Sequence, residues 1–217
     1  VTISIKNNAD YSIKSIIGNE LNIKLPNNQL LQLLLKDNHI KFIENILIAV
    51  ACSHQAGASI QNIVDGYTNY KGIKGRFYLY DGIKNSIIID DSYNANPDTM
   101  IQSINYFIDL DYNINKKILI LGDMNELGSS SHKFHLKIIK YIENANINEI
   151  ILCGELFKTA VNKLKKSNKK YMIKHNKDQI IKYVKDKIHK NAILMVKSSN
   201  ATEVNKFAKK IIEIGGR

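Results

Sequence analysis

Residues 87–98 read Ile-Ile-Ile-Asp-Asp-Ser-Tyr-Asn-Ala-Asn-Pro-Asp: an apolar strand, two carboxylates, a short polar loop and a helix start. Asn96 has the residue type of a helix N-cap, and Pro97 suits the first helical position. Backbone N–H groups at such a start attract phosphate or carboxylate groups. Neighbouring strand residues alternate between faces, so we expect one of Asp90 and Asp91 to face a site and the other to be structural. On local grounds alone, an ordinary strand–turn–helix junction explains the segment equally well.

The same strand–helix pattern recurs along the rest of the chain. Apolar strands, each followed by a helical pattern, are predicted at Ser86–Asp91, Lys117–Gly122, Glu149–Cys153, Tyr171–Lys174 and Ala192–Lys197. Five consecutive units of this kind predict an α/β fold over residues 82–217, with a Rossmann-like, doubly wound and mainly parallel sheet. Functional groups in such sheets collect where strands end and helices begin.

Residues 1–81 follow a different pattern and are predicted to form a separate domain. Short strands, joined by Asn, Gly and Pro turns as in a meander, are predicted at Val1–Ile5, Tyr11–Ile17, Glu20–Leu25 and Leu30–Leu35. Apolar residues at helical spacing follow from residue 43 to residue 51, and Ser59 is placed to cap a second helix. The alternation at the start resembles a strand already under way, so we expect the chain to begin inside a domain.

The composition is typical of a folded globular protein: of 217 residues, 44% are hydrophobic and 24% are charged. No apolar run approaches the roughly 20 residues that span a bilayer. The formal net charge of +11 would suit an anionic partner. However, the lysines are scattered, and over-use of Ile, Asn and Lys is typical of AT-rich genomes. Cys52 and Cys153 lack the spacing of a disulfide framework or zinc site, which fits a reducing cytoplasm.

Four stretches are similar to sequence motifs of the Mur ligase family. Asp90–Pro97 resembles the family signature, and Gly122–Gly128 (Gly-Asp-Met-Asn-Glu-Leu-Gly) resembles a second C-terminal motif. Lys74–Arg76 resembles the motif that closes the family's central domain, and Asn45–Ala51 resembles the helix before it. The intervals agree as well, at 76 − 45 = 31 and 91 − 76 = 15 residues. Within the family, the chain more specifically resembles the members that add D-alanyl-D-alanine.

The resemblance implies an ATP-dependent amide ligase of peptidoglycan precursor synthesis, cytoplasmic and monomeric. ATP would phosphorylate the terminal carboxylate of UDP-N-acetylmuramoyl-tripeptide, and the amine of D-alanyl-D-alanine would attack the acyl phosphate. Residues 1–81 would be the end of a central ATP-binding domain, and residues 82–217 would be the C-terminal Rossmann-like domain. The family's Mg²⁺ ligands would lie outside this chain, and neither nucleic acid nor a membrane is an expected partner.

Matched motif by motif, the resemblance also implies roles for single residues. Arg76 would be catalytic and contact the ATP phosphates, for which a planar cation suits better than lysine. Asn45 would hydrogen-bond the adenine, and Asp91 would reach the ribose. Tyr93 and Asn94 would lie beside the nucleotide. The acceptor side of the cleft would be formed by Asp123, Glu126, Lys197 and Ser199.

The chain departs from the family pattern in three places. It contains no Gly-Lys-Thr/Ser phosphate loop, so we expect that the chain alone does not hydrolyse ATP. In His39–Phe42, Lys41 takes the position of the family's histidine. The late strand ends Lys-Ser-Ser-Asn at 197–200, where the family has Lys-Gly-Ser-Arg. Ser198 would thereby lose the freedom to adopt a positive φ, and Asn200 would replace a cation.

Several alternatives stay open from the residues. A diaminopimelate-adding or folylpolyglutamate-type ligase is one, although the loop at 93–97 argues against it. The charge alone suggests a basic nucleic-acid-binding module, and the sheet pattern alone suggests a dinucleotide oxidoreductase, which lacks its Gly-x-Gly-x-x-Gly motif here. A metal site is conceivable from Asp123, Glu126, His132 and His135, but the resemblance places the metal ligands elsewhere.

Overall fold

The structure is a computed structural model that describes residues 1–36, 42–110, 116–164, 166, 167, 169, 171–174, 177–188, 191–200, 202, 204, 208–211 and 213. The chain forms two compact units, Val1–Lys71 and Gly72–Arg217. The boundary therefore lies earlier than the one predicted after residue 81. The physical reason is that strand β5 (Tyr78–Asp81) pairs antiparallel with β6 (Ile87–Asp91), which makes it part of the second unit.

The first unit contains a four-stranded sheet. Its strands lie in the spatial order β1 (Ile3–Ser4), β2 (Tyr11–Ile17), β3 (Glu20–Lys24) and β4 (Leu30–Leu34). The pairs β2–β3 and β3–β4 are antiparallel, as predicted for a meander. However, β1 runs parallel to β2, so the meander comprises three strands and not four.

Two helices, α1 (Ile43–Gln55) and α2 (Ile60–Asn69), share one apolar core with this sheet. The buried side chains of α1 are Ile46, Leu47, Val50 and Ala51, at the predicted helical spacing. At the start of α2, Ser59 Oγ accepts a hydrogen bond from Asn62 N–H at 3.1 Å, which confirms the predicted N-cap.

The second unit contains a six-stranded sheet, which confirms the predicted mainly parallel α/β fold. The remaining strands are β7 (Lys116–Gly122), β8 (Glu149–Cys153), β9 (Tyr171–Lys174) and β10 (Ala192–Lys197). The spatial order is β5-β6-β10-β7-β8-β9. Every neighbouring pair is parallel except β5–β6.

Four of the five helices predicted for the second unit follow their strands within the described residues, and the fifth, predicted after β10, falls largely outside them. The four are α3 (Pro97–Asp109), α4 (Ser131–Ile142), α5 (Glu155–Asn162) and α6 (Lys177–Lys187). Ile88 and Ile89, consecutive residues of β6, are both fully buried, so both faces of the sheet are covered. Within the part of the chain that the structure describes, none of the helices has the length and apolar character needed to cross a membrane.

Candidate functional site

The carboxyl ends of the parallel strands meet at one edge of the second sheet, where ligands of such folds bind. Asp91, at the end of β6, is the register partner of Lys197 at the end of β10, and Lys197 is also the partner of Leu121 in β7. β5 runs in the opposite direction, so Arg76 and Phe77, just before it, lie at the same edge. The fold thus brings together residues that are far apart in sequence.

Helix α3 begins at this edge with the predicted caps. Asn96 Oδ1 accepts from Thr99 N–H at 2.9 Å, and Thr99 Oγ1 accepts from Asn96 N–H at 3.2 Å. Pro97 is the first helical residue. The capping box satisfies two backbone donors that a ligand could otherwise use. These two N–H groups are therefore already paired within the protein and are not open to an anion.

Arg76 and Tyr93 form a stacked pair at the edge. The guanidinium carbon lies 4.5 Å from the centre of the phenol ring, within the range of a cation–π interaction. Tyr93 is 48% exposed, and Arg76 and Asn94 are also exposed. Tyr93 N–H donates to Gly75 O at 3.0 Å. Gly75 has φ +83°, and a Cβ there would lie 3.0 Å from Tyr93 Cβ, so this close approach of the two segments requires glycine.

Both carboxylates of the Asp90–Asp91 pair are buried, contrary to the expectation that one would face a site. Asp90 is 6% exposed, and its Oδ1 accepts from Ser92 N–H and Ser92 Oγ. Asp91 is 8% exposed, and its Oδ1 accepts from Phe77 N–H at 3.1 Å. Its Oδ2 accepts from Ser103 Oγ at 2.6 Å. Each carboxylate is therefore engaged by the protein itself.

Lys197 is the basic partner of Asp91. Its Nζ lies 2.8 Å from Asp91 Oδ2 and donates to Asn94 O at 3.0 Å, and the residue is only 2% exposed. A buried ammonium requires such partners because its desolvation is costly. In this arrangement, neither Lys197 nor Asp91 is open to a ligand.

The 198–200 turn connects β10 to the 122–128 motif. Ser199 is buried, accepts from Asn125 N–H at 3.0 Å through its Oγ, and donates to Ala95 O at 3.4 Å. Ser198 does not adopt a positive φ, so the backbone at this position does not use the freedom that a glycine would provide. Instead, its Cβ packs against Gly122, where an added Cβ would lie 2.7 Å from it.

Asp123 caps helix α5 and does not point into open solvent. Its two carboxylate oxygens accept from Leu156 N–H and Phe157 N–H, each at 3.1 Å. A carboxylate at this end of a helix is favoured by the helix dipole. Gly154, at φ +121°, lies directly beneath the carboxylate. Glu126 is the exposed acidic residue of the motif and has φ +62°.

His135 has a role that the sequence reasoning missed. Its Nε2 accepts from Met124 N–H at 3.0 Å, so its Nδ1 carries the proton and donates to Ser131 O at 2.7 Å. The fully buried ring packs edge-on against Phe157. Burial lowers the pKa of His135 below its usual value, so the ring is neutral and fixes the 122–128 loop. A signal was available, because His135, Ile138 and Ile142 fall at helical spacing on one face of α4.

This histidine predicts a pH dependence of stability. The pKa of His135 is lower in the folded state than in the unfolded state, so the unfolded chain binds more protons as the pH falls through about 6.5. We expect the urea midpoint to fall between pH 7.5 and 5.5, and this slope to decrease in His135→Gln. Exposed His132, changed to Gln, serves as the control and should keep most of the slope of the parent, because its charge is the smallest of the causes that shift the pKa of His135. An equal slope in all three proteins would contradict the assignment.

The remaining predicted residue lies in the first unit. Asn45 is exposed in the first turn of α1. The predicted departure at 39–42 falls mostly outside the described residues, which resume at Phe42. Among the residues that the structure describes, no three His, Cys, Asp or Glu side chains gather as a metal site. Burial raises the pKa of the Cys153 thiol to about 12, so it is not a nucleophile at neutral pH.

Comparison with known proteins assigns a family to the part of the chain that contains this edge. The family described as "Mur ligase, glutamate ligase domain" matches residues 75–200, which is more than half of the chain. The chain is 31% identical over 113 residues to the UDP-N-acetylmuramoyl-tripeptide–D-alanyl-D-alanine ligase of Escherichia coli, covering 52% of this chain and 24% of that protein. It is 30% identical over 178 residues to the ligase of the same name from Buchnera aphidicola subsp. Baizongia pistaciae, covering 79% and 37%.

Solved structures agree at the level of the fold. A crystal structure of MurF from Acinetobacter baumannii superimposes with a TM-score of 0.79 at 20% identity, covering 96% of this chain and 46% of that one. MurF from Thermotoga maritima in complex with ADP gives a TM-score of 0.70 at 19% identity, covering 96% and 47%. This chain thus spans a quarter to less than half the length of these proteins.

Proposed function

Because the chain belongs to the Mur ligase family, through its glutamate ligase domain, we propose that it forms the C-terminal part of an ATP-dependent ligase that joins D-alanyl-D-alanine to UDP-N-acetylmuramoyl-tripeptide. One observation carries the proposal: the exposed Arg76–Tyr93 pair stands at the strand-end edge, within the matched residues. A guanidinium offers a permanent charge and five donors in one plane, which suits phosphate oxygens.

In the proposed reaction, an oxygen of the tripeptide carboxylate attacks the γ-phosphorus of ATP, and the bond to the bridging oxygen of ADP breaks. The neutral amine of D-alanyl-D-alanine then attacks the carbonyl carbon of the acyl phosphate. The tetrahedral intermediate loses inorganic phosphate, the nitrogen loses a proton, and an amide bond remains. Catalysis of this kind depends on positioning and on stabilising charge that develops on phosphate oxygens.

The residues to which we assign roles are exposed. Arg76 is proposed to contact the ATP phosphates, with Tyr93 orienting its guanidinium and Asn94 beside the nucleotide. Exposed Asn45, on the first unit, is proposed to hydrogen-bond the adenine. Glu126 is proposed to face the acceptor amine. Under this proposal residues 1–71 belong to the ATP-binding region, and residues 72–217 bring in the dipeptide.

The proposed ATP substrate would carry Mg²⁺, which supplies charge neutralisation on the phosphates when it is bound. The side chains here do not form a site for it, because the described part of the chain has no group of three metal-ligating residues. Asp91 and Asp123 use both carboxylate oxygens for protein donors, and Asp90 uses its Oδ1. No step is therefore assigned to a metal held by this chain.

The experiment is a chimera that joins the N-terminal part of the Buchnera relative to all 217 residues of this chain, in place of the C-terminal part that they match. Incubated with ATP, Mg²⁺, UDP-N-acetylmuramoyl-tripeptide and D-alanyl-D-alanine, it should release phosphate and form the pentapeptide product, detected by mass spectrometry. Product formed with another amino acid and not with the dipeptide would contradict the proposed acceptor.

A second prediction concerns the chain alone. Because it contains no Gly-Lys-Thr/Ser loop to hold the phosphates, we expect the purified 217-residue chain to produce no more ADP from ATP than a blank without protein. The measurement is chromatographic quantitation of ADP, with the chimera at equal concentration as the positive control. Robust ATP hydrolysis by the chain alone would contradict the prediction.

A further inference from the structure

The Arg76–Tyr93 pair is exposed, but the residue that follows each of its members forms a backbone hydrogen bond to a buried side chain. Phe77, the residue after Arg76, donates its N–H to Asp91 Oδ1 at 3.1 Å. Asn94, the residue after Tyr93, accepts at its carbonyl from Lys197 Nζ at 3.0 Å. The two segments that carry the pair are therefore each tied to one member of a second, buried pair.

That buried pair is the ion pair between Asp91 and Lys197, with Oδ2 and Nζ 2.8 Å apart. Asp91 also accepts from Ser103 Oγ, so its carboxylate is held by three donors. These three donors fix the orientation of the carboxylate. The carboxylate in turn fixes the position of Phe77 N–H, which donates to it. Phe77 itself is at φ +52°, a backbone region that an aromatic residue occupies only where its surroundings hold it there.

We propose that Lys197 and Asp91 are positioning residues that set the stacked geometry of Arg76 and Tyr93. The role of Arg76 at phosphate rests on the proposed function, whereas the positioning itself does not. Burial supports this assignment over direct ligand contact. Lys197 is 2% exposed and its ammonium already meets Asp91 and Asn94, so reaching a ligand would require breaking both interactions.

The test uses the 217-residue chain without nucleotide. Only Arg76 and Arg217 are arginines, so the Nε–Hε region of a nitrogen-15 NMR spectrum contains two side-chain signals, and Arg76→Lys assigns them. A guanidinium over a ring face experiences the ring current, so we expect an upfield position for Arg76 Hε. Tyr93→Leu should abolish this upfield displacement and serves as the reference for an unstacked arginine.

The decisive variants neutralise the buried pair. Lys197→Met leaves Asp91 buried without its cation and could prevent folding. The double variant Asp91→Asn with Lys197→Met replaces the pair by neutral residues of similar volume, which proteins commonly tolerate. We expect each folded variant to lose at least about half of the upfield displacement of Arg76 Hε, because Asn94 O no longer accepts a hydrogen bond from Lys197 Nζ. Lys137→Met, an exposed lysine 3.9 Å from Asp98, is the matched control and should keep all of it.

Retention of the full displacement in the folded double variant would overturn the proposal. Failure of the double variant to fold would also count against it, because the pair would then support the core and not the two loops. In the chimera, positioning predicts about tenfold lower kcat/KM for ATP with an almost unchanged KM for D-alanyl-D-alanine. A dipeptide contact at Lys197 predicts the opposite pattern. Because the NMR readout needs no substrate, its outcome is independent of the proposed ligase function.

Discussion

Replacing Gly154 by alanine is expected to lower the free energy of unfolding by about 3–5 kcal/mol. The residue has φ +121°, a region that side-chain-bearing residues rarely adopt. A Cβ there would lie 2.2 Å from the Cγ and Oδ2 atoms of Asp123. The methyl group would therefore displace the carboxylate that caps α5 at Leu156 and Phe157. Urea unfolding followed by circular dichroism measures the change.

Two other glycines provide controls for this variant. Gly128→Ala combines φ +55° with open space around the new methyl group, so only backbone strain of about 1 kcal/mol is expected. Gly66→Ala, within α2 and also in open space, should stabilise by about 0.5–1 kcal/mol. Equal losses in Gly154→Ala and Gly128→Ala would show that the Asp123 carboxylate yields easily, contrary to its assigned capping role.

In the chimera, Arg76→Ala is expected to lower kcat/KM for ATP by about 10²–10³-fold, the usual loss when one donor to a developing charge is removed. Arg76→Lys keeps the charge but loses the planar fork and much of the stacking on Tyr93, so it should recover only part of the activity. Steady-state kinetics with ATP varied and the other substrates saturating measures both.

The control for these variants is Lys133→Ala, which removes an exposed basic residue of α4 and should change kcat/KM less than about twofold. Arg76 is exposed, so its variants should keep the urea midpoint of the chain close to that of the parent. A fully active Arg76→Ala chimera would remove the central support for the proposed phosphate contact.

Much of the fold could be predicted from the sequence because its signals are local. Asn96 and Pro97 mark the start of α3, and the apolar strands of the second unit stand out from polar loops. The strand order was not predictable in this way. β10 lies between β6 and β7, a long-range pairing that no local pattern encodes. The predicted domain boundary lay too late in the chain for a related reason. The sequence does not show that β5 pairs with β6 and so belongs to the second unit.

The sequence could predict that the site lies at the edge where the strands end, but it could not predict which side chains contact each other there. Asp91 and Lys197 both belong to motifs at strand ends, and the fold does bring them there. However, they are 106 residues apart, and only the parallel register makes them an ion pair that buries both charges. Ser103 and His135 carried no motif, although each holds a residue of the site in place.

The position of β10 has a consequence during translation. It is the last strand of the described residues, yet it separates β6 from β7 in the middle of the sheet. Until residues 192–197 leave the ribosome, both neighbouring strands keep an apolar, unpaired edge, and such edges promote aggregation of nascent chains. A premature stop codon before β10 would therefore yield two half-sheets with open edges instead of a slightly shortened domain.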